Sequence, residues 1–443
     1  MRDIHLNREL LRAIARGEVE PRILVRIGLE HLRCLCPTCA AEWDAWESER
    51  ELAAKDRGEH RLQGFLADKL KEIASAEECA AEDFRRLLAV EPSRRISQIA
   101  RSRHRYRSAA LVRLLIAEVR RAVHSEPQAA YHLADLAFHV AEQLTGLEMT
   151  QGLVPLSLAE MGNALRIQSR GLEARELFER SRALTELSNL ADPSVIARID
   201  HLEACLYMNL RRFAESETLL DRAKVLYNLV GASGEIARVE ITRSLLLLES
   251  GQPLKALRAI REILRTAAVK ADPKLFLGTR INLARALIEV KDLSAAKRVL
   301  DQDEPRQALV GEPLAHLRYP WMRGKIAHAE RNFTAAQEHF ALALDEFIGA
   351  GAMYDAALVS LDLALTSLQM GRPQVVRRLA EEMLPIFSAQ AIHREALAAL
   401  RMFQEAAQQE ILTEALVRDL RDYLEEARYQ PEVRFQPGAG AGN

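Results

Sequence analysis

Apolar residues along this chain recur with the spacing of one buried face of an α-helix. The charged stretch that contains Phe65, Leu66, Leu70 and Ile73 shows the pattern clearly. The pattern ends before the C-terminal sequence YQPEVRFQPGAGAGN, whose glycines and prolines are typical of a disordered tail. Ala, Leu, Arg and Glu dominate the composition, which favours helices as well. The sequence therefore predicts an all-α fold.

Similar helical segments recur at a nearly constant interval from position 161 onward, beginning at Met161, Glu203, Arg243, Leu283, Arg323 and Leu363. Each has a small residue at its second position, a small or compact residue twelve positions later, and in most copies a large apolar residue four positions further on. The first set is Gly162, Ala204, Ser244, Ala284, Gly324 and Ala364; the second is Ala174, Ser216, Ala256, Ala296, Ala336 and Val376; the third is Phe178, Leu220, Ile260, Leu300 and Phe340. Small residues let antiparallel helices approach closely, and the large residue fills the groove to the next unit.

This pattern resembles the tetratricopeptide repeat (TPR) over roughly residues 110–390. The turns that begin at Gly251 and Gly371 separate the paired helices in two copies. Trp321 lies near the position of the family's early aromatic residue, whereas the closing proline is absent. The interval between copies is longer than the usual TPR period, which we attribute to longer helices or longer loops between repeats. The resemblance implies a right-handed superhelical solenoid of helical hairpins.

We expect five parts along the chain. A small helical module spans residues 1–45, and a charged helical linker spans 46–92. The TPR-like solenoid follows over 93–390, and a capping pair of helices with a charged exposed face over 391–428. The disordered tail covers 429–443.

The net charge of the chain and the absence of known catalytic motifs exclude several classes of function. The 443 residues carry a formal net charge of -2, so no overall charge attracts nucleic acid or a membrane surface. No apolar run is long enough to cross a membrane, and the N-terminus does not resemble a secretory signal, so we expect a cytoplasmic protein. No phosphate-binding loop, H-E-x-x-H, G-x-S-x-G or dinucleotide-binding motif occurs. These observations favour a non-enzymatic protein, or an accessory subunit of a separately encoded enzyme.

Three of the five cysteines lie in the stretch HLRCLCPTCAAEW, from His31 to Trp43. Thiolate and imidazole ligands suit zinc, and Cys36 and Cys39 form a CxxC pair that can place two sulfurs on one ion. Cys34 or the more distant His5 could complete the site with His31. Two alternatives are a redox CxxC and buried cysteines in a helical hairpin.

The surrounding residues resemble the zinc finger of bacterial anti-sigma factors. Gly17-Glu18, His31-Leu32 and the Cys36/Cys39 pair occupy the positions of that family's GE turn, helix end and CxxC, and its upstream ligand falls near His5. Four residues separate His31 from Cys36 where the family has three, and Cys34 is the candidate that compensates. The resemblance implies a structural zinc ion and a regulatory partner similar to a sigma factor.

The resemblance to TPR proteins also implies a concave face lined by the first helix of each pair. The groove-facing positions that transfer are mostly basic and comprise Asn163, Arg166, Arg198, His201, Asn209, Arg238, Arg285, Glu289, Arg318, Lys325 and His328. Arginine pairs carboxylates through two hydrogen bonds, so we expect a groove for an acidic or carboxylate-terminated peptide. The alternative is a solvated face balanced by local glutamates. Leu358, Leu361 and Leu365 predict either an apolar anchor pocket or closer packing with the cap.

A second basic stretch covers residues 93–121 and includes Arg94, Arg95, Arg101, Arg103, Arg105 and Arg107 with Tyr106. It could contact phosphates, but it has one aromatic residue and no helix-turn-helix signature, so a solvated helix or an interdomain contact is favoured over nucleic-acid binding. His132 and His139 are a heptad apart and are expected to be packing residues. The leading hypothesis is a scaffold or regulator that binds a protein or peptide.

Overall fold

The structure is a computed structural model, and it describes residues 77–102, 105–144, 152–168, 170–187, 192–310, 313–350, 352–389, 394–408, 412–427 and 435. Within these ranges the chain is helical, with no β-strand. Residues 77–89 form a helix inside the predicted linker. The predicted module 1–45 lies outside the described residues, and so does the predicted tail apart from Phe435.

Eighteen α-helices with defined ends follow a short 3-10 turn at Pro92–Arg94 in the described part of the chain. They are α1 Arg95–Arg101, α2 Ala109–Ala122, α3 Pro127–Ala141, α4 Leu153–Ile167, α5 Gly171–Leu187, α6 Pro193–Asn209, α7 Phe213–Leu229, α8 Ser233–Glu249, α9 Pro253–Ile263, α10 Ala267–Ala271, α11 Pro273–Glu289, α12 Leu293–Val310, α13 Pro313–Ala329, α14 Phe333–Gly349, α15 Met353–Gln369, α16 Pro373–Ala389, α17 Arg394–Gln408 and α18 Glu414–Ala427. Successive helices pack as hairpins, from α2/α3 to α15/α16. In the hairpin whose first helix is α8, the two short helices α9 and α10 together take the place of the second helix.

The hairpins repeat at a constant interval along the chain. The first helices α4, α6, α8, α11, α13 and α15 begin at positions 153, 193, 233, 273, 313 and 353. Helices such as α6, α7 and α8 have 17 residues each, and three residues join each of them to the next. Of the two explanations drawn from the sequence, longer helices therefore account for the long repeat period at these junctions, and longer loops do not.

A left-handed residue ends the first helix of five hairpins. Gly251 and Gly371 have φ of 71° and 66°, as the predicted turns require, and the equivalent residues Arg211, Lys291 and Arg331 have φ between 57° and 65°. In each turn the N–H of this residue donates to the carbonyl oxygen three residues earlier, and the N–H of the next residue donates to the carbonyl oxygen five residues earlier. These bonds satisfy carbonyls that the helix end leaves free, and they turn the chain into the second helix.

The predicted small and large residues form the contact between paired helices. All three sets are buried, and Ala204, Ala284 and Ala364 are 0% exposed. A Cβ atom at Gly324 would lie 2.5 Å from two ring carbons of Phe340, and one at Gly162 would lie 3.0 Å from the Phe178 ring. The prediction of close helix approach at these positions is confirmed.

The first helices form the inner layer of a strongly curved stack. Arg120 on α2 reaches Glu235 on α8, with 3.6 Å between Nη1 and Oε1, although α4 and α6 lie between these helices in the repeat order. At 8–10 Å per helix contact, a straight stack would separate α2 from α8 by about 27 Å. The contact therefore requires the stack to bend toward the side of the first helices, which places them on the concave face.

The last two helices end the stack in reversed order. Helix α17 packs on the second helix α16, and α18 packs on the first helix α15. Arg421 pairs with Asp362 while Glu414 accepts from Gln369, so α18 runs antiparallel to α15. The preceding first helices α13 and α15 are parallel, since Trp321 contacts Asp362 and, further along both helices, His328 contacts Thr366. Helix α18 therefore lies where the next first helix would lie but runs in the opposite direction, which ends the parallel stacking of the repeats.

Candidate functional site

The concave face carries a largely buried group of charged and polar side chains on α2, α4, α6, α7 and α8. We call it the inner-face cluster, and it comprises Arg120, Glu160, Arg198, His201, Tyr227 and Glu235. At its centre the carboxylate of Glu160 is fully buried and accepts from Arg198 Nε at 2.9 Å and Nη2 at 3.3 Å. This two-bond geometry holds α4 and α6 together through an arginine whose side chain is 11% exposed.

Arg120 is the most accessible member of the cluster. Its side chain is 39% exposed, and its contacts are long, at 3.5 Å to Glu160 and 3.6 Å to Glu235. Glu235 is 27% exposed and also lies 3.9 Å from Arg238. Arg120 is therefore the cation of the cluster that can most easily exchange its partner for an external anion.

His201 is a neutral side chain whose tautomer is determined by its neighbour. The Thr242 hydroxyl donates its one hydrogen to the Arg238 carbonyl oxygen at 3.1 Å, so its oxygen accepts from His201 Nε2 at 2.8 Å. Burial, together with Arg198 and three further arginines, lowers the pKa of His201 to about 3. Nδ1 therefore carries a lone pair, and the described residues provide it with no partner.

Two further buried polar atoms of the cluster have no hydrogen-bond partner among the described residues. They are the hydroxyl of Tyr227, which is 2% exposed, and Oε2 of Glu235. Burial and the carboxylate of Glu235 raise the pKa of Tyr227 above its usual value, so the phenol keeps its proton. Unpaired buried polar groups are uncommon in proteins and call for an explanation.

Arg166 is the predicted groove residue with the clearest binding geometry. Its Nε and Nη2 lie 3.1 and 2.8 Å from Oδ1 of Asn163, which is buried. When the Asn209 amide donates to the Cys205 carbonyl, its oxygen lies 3.0 Å from Nη1 of Arg166. The structure thus brings three predicted residues together, and no carboxylate in the described ranges pairs with this half-buried guanidinium.

Other predicted basic groove residues are balanced by carboxylates of the chain itself. Arg198 pairs with Glu160, Arg238 lies 3.3 Å from Asp272, and Arg285 lies 2.7 Å from Glu249. The structure leaves Arg318 exposed. Local balance of charge, the alternative drawn from the sequence, describes Arg198, Arg238 and Arg285, whereas Arg166 differs.

Lys325 and His328 belong to a second polar group near the cap. Lys325 lies over the Trp321 ring, 4.6 Å from its centroid, and the Trp321 N–H donates to Asp362 at 2.7 Å. His328 Nδ1 lies 2.9 Å from the Thr366 hydroxyl. Burial lowers the pKa of Lys325, and burial also lowers that of His328.

The apolar residues of α15 pack against the cap. Leu358 and Leu361 are 5% and 0% exposed and share a core with Val417, Leu420 and Leu424 of α18, as does the partly buried Leu365. Of the two interpretations drawn from the sequence, the structure shows closer packing with the cap.

The basic stretch makes mostly internal contacts. Arg95 donates to the carbonyls of Val90 and Leu88, Arg105 lies 3.5 Å from Asp83, and Arg107 donates to Gln143. Tyr106 is buried, whereas Arg94 and Arg101 are exposed. Arg103 lies outside the described residues. These contacts favour the structural interpretation over a phosphate-binding surface.

The expectation that His132 and His139 are packing residues is wrong for His132, which is exposed and contacts Gln128. His139 is half-buried, 3.6 Å from Asp135 and 3.5 Å from Glu142. The described part of the chain contains no group of three or more His, Cys, Asp or Glu side chains arranged to hold a metal ion. His5, His31, Cys34, Cys36 and Cys39 lie outside it, so the zinc site stays a prediction.

Comparison with known proteins supports the architecture. Neither a known protein family nor a curated protein sequence matches the chain. A solved Rap protein in complex with competence and sporulation factor is similar over 72% of this chain and 88% of that one, with a TM-score of 0.57 and 11% identity. The apo form of RapI covers 71% and 86%, with a TM-score of 0.48 and 11% identity. The fold is a TPR-like helical solenoid.

The TPR-like chain carries functional candidates that its sequence did not single out. Arg120, Glu160, Tyr227 and Glu235 were not among the predicted groove residues. Glu160 had one usable signal, since it is the only charged residue in the apolar segment LVPLSLAEMGNAL. No helix in the described residues is long and apolar enough to span a membrane.

Proposed function

We propose that this protein is a non-enzymatic scaffold or regulator whose concave face binds a peptide or an extended protein segment that carries a carboxylate. The observation that carries the proposal is the Arg166 guanidinium, held in place by Asn163 and Asn209 without a carboxylate partner among the described residues. A positioned arginine that is not neutralised within the protein favours an external anion.

The neighbourhood of Arg166 supports the same assignment. Arg166 and Arg120 both act electrostatically on His201, so the two guanidinium groups lie on one part of the concave face. Arg120 holds its carboxylates through long contacts. A helical repeat protein of this fold forms a complex with competence and sporulation factor, which supports a binding role for the fold.

The test uses the full chain and two pools of random heptapeptides, one with free carboxyl termini and one with amidated termini. We expect the protein to retain the free-carboxylate pool preferentially, and Arg166→Gln to weaken binding of a retained peptide by about tenfold or more. Affinity selection followed by mass spectrometry identifies the peptides, and fluorescence anisotropy measures their binding.

Arg258→Gln is the matched control, because Arg258 is exposed on the second helix α9. It should leave binding unchanged. Equal retention of the two pools, or equal effects of the two substitutions, would contradict the proposed role of Arg166.

The N-terminal segment is proposed to bind a second partner, in the manner of anti-sigma factors. The support for this is the sequence pattern of His31, Cys36 and Cys39, with Cys34 or His5 as the fourth ligand. We expect about one structural zinc ion per purified chain, and its loss in the Cys36→Ser/Cys39→Ser variant. Elemental analysis checks this, and native protein free of zinc would rule out the site.

A further inference from the structure

Two cations on the first helix α13, Arg318 and Lys325, have no carboxylate partner among the described residues. Lys325 lies over the Trp321 ring, 4.6 Å from its centroid, and makes no hydrogen bond or ion pair within these ranges. Arg318 is exposed and is likewise unpaired there. Arg285 on the preceding first helix differs, since its guanidinium lies 2.7 Å from Glu249. Helix α13 therefore presents two positive charges that the described part of the chain does not neutralise.

The carboxylates whose charges act on Lys325 already serve other groups. Asp362 accepts from the Trp321 N–H at 2.7 Å through Oδ2, and from Arg421 Nε at 3.0 Å through Oδ1. Glu425 lies 3.0 Å from Nη2 of Arg421. Burial and then Arg421 lower the pKa of Lys325 in spite of these two carboxylates. A further anion beside the ammonium group would therefore be favourable.

The two cations share the open side of α13. Seven residues are close to two turns of an α-helix, so Arg318 and Lys325 lie on one face. Arg323 pairs with the second helix α12, Gly324 lies against the second helix α14, and Trp321 contacts α15. At about 100° per residue, the face of the two cations lies opposite Arg323 and Gly324. It is therefore turned away from the second helices, toward the concave side of the stack.

We propose that α13 recognises two acidic side chains, three positions apart, in an extended peptide that lies along its concave side. Seven residues of an α-helix rise by about 10 Å, which sets the spacing of Arg318 and Lys325. An extended chain in the polyproline II conformation has about three residues per turn and rises about 3.1 Å per residue, so side chains three positions apart project to one side, about 9 Å from each other. The inference rests on the proposed function, and it adds a second anchor to the one at Arg166.

Other arrangements of negative charge fit these two cations less well. Adjacent acidic residues project to different sides of an extended chain, so only one of them can reach a cation. A phosphorylated side chain carries a charge near −2, whereas Lys325 supplies one positive charge beside the carboxylates of Asp362 and Glu425. Two carboxylates bring one negative charge to each unpaired cation.

The test uses the full chain at about 0.15 M ionic strength, where attraction between distant surface charges is screened. Two pools of random dodecapeptides each contain two glutamates, three positions apart in one pool and adjacent in the other, with neutral residues elsewhere. All carboxyl termini are amidated, so retention does not depend on a terminal carboxylate at Arg166. We expect the protein to retain the spaced pool at least about fivefold more strongly. Affinity selection with mass spectrometry measures retention.

Substitution of either cation should weaken binding of a retained peptide. Lys325→Gln and Arg318→Gln should each cost about fivefold or more in affinity, measured by fluorescence anisotropy. Thermal unfolding of Arg318→Gln should be nearly unchanged, because the exposed guanidinium has no partner among the described residues. Lys255→Gln is the matched control, since Lys255 is exposed on the second helix α9, and it should leave binding unchanged.

The inference and the proposed function can fail separately. Equal retention of the two amidated pools, or equal effects of Lys255→Gln and Lys325→Gln, would overturn the inference. Retention of neither amidated pool, while heptapeptides with free carboxyl termini are retained, would also overturn it and leave the anchor at Arg166 standing. Preferential retention of the spaced pool, together with equal retention of free and amidated heptapeptides, would support the inference and contradict the role of Arg166. Retention of no peptide from any pool would overturn both.

Discussion

Gly324→Ala is expected to lower the free energy of unfolding by about 3 kcal/mol, the upper end of the usual effect of overpacking a core. The added Cβ would lie 2.5 Å from Cδ1 and Cε1 of Phe340, well inside van der Waals contact. Phe340 is 1% exposed, so its ring has little space into which it can move. The change must therefore separate α13 from α14. Urea denaturation followed by circular dichroism measures the loss.

Gly278→Ala is the control for this prediction. Gly278 lies within α11, and a Cβ at this position would meet nothing within 4 Å. Alanine is a better helix former than glycine, so this variant should be more stable by about 0.5–1 kcal/mol. Stabilisation of both variants would show that helix propensity outweighs contact with Phe340, and destabilisation of both would show that a cause other than this contact lowers stability.

A second substitution tests whether the ring is the cause. In the Gly324→Ala background, Phe340→Leu removes the atoms that the new methyl group would strike. The loss in free energy of unfolding in the double variant should then be smaller than the sum of the losses in the two single variants, by about 1 kcal/mol or more. Additive effects would mean that the clash is relieved elsewhere.

The repeat was predictable because it depends on local helix geometry. Gly324 and Phe340 are 16 positions apart, and the equivalent pair Gly162 and Phe178 has the same spacing, so one hairpin fixes their contact. The interval between hairpins was visible from the same positions. The αL turn residues were predictable only where glycine occupies them, since Arg211, Lys291 and Arg331 have no such signal.

The candidate site was predictable only in part, because it depends on curvature. Asn163, Arg166 and Asn209 lie at groove-facing positions and were found by their place in the repeat. Arg120 and Glu235 are 115 positions apart and meet only because the stack bends across four first helices. The lone pair on Nδ1 of His201 follows from the hydrogen bond that the Thr242 hydroxyl donates to the Arg238 carbonyl oxygen. No sequence pattern shows that hydrogen bond.

Arg198→Met should be the most destabilising substitution in the inner-face cluster, at about 3–5 kcal/mol. The variant keeps an unbranched side chain but removes the two hydrogen bonds, of 2.9 and 3.3 Å, to the fully buried Glu160. Arg120, at 3.5 Å, is then the remaining cation in contact with that carboxylate. Chemical denaturation of the full chain measures the loss.

The surface pair Arg175–Glu179 provides the matched control. Its partners are 2.9 Å apart, like Arg198 and Glu160, but their side chains are 56% and 62% exposed. Arg175→Met should therefore cost less than about 1 kcal/mol. A similar loss in both variants would mean that burial of the Glu160 carboxylate does not determine the effect.

The double variant Glu160→Leu/Arg198→Met separates the value of the ion pair from the cost of leaving one charge alone. An apolar pair removes both buried charges, so it should be more stable than the single Arg198→Met variant by about 2 kcal/mol or more. Peptide binding is the second readout. If Glu160 serves to hold Arg120 in place on the concave face, the double variant should fold yet lose its selectivity for free carboxylates. Retained selectivity would restrict the pair to a role in stability.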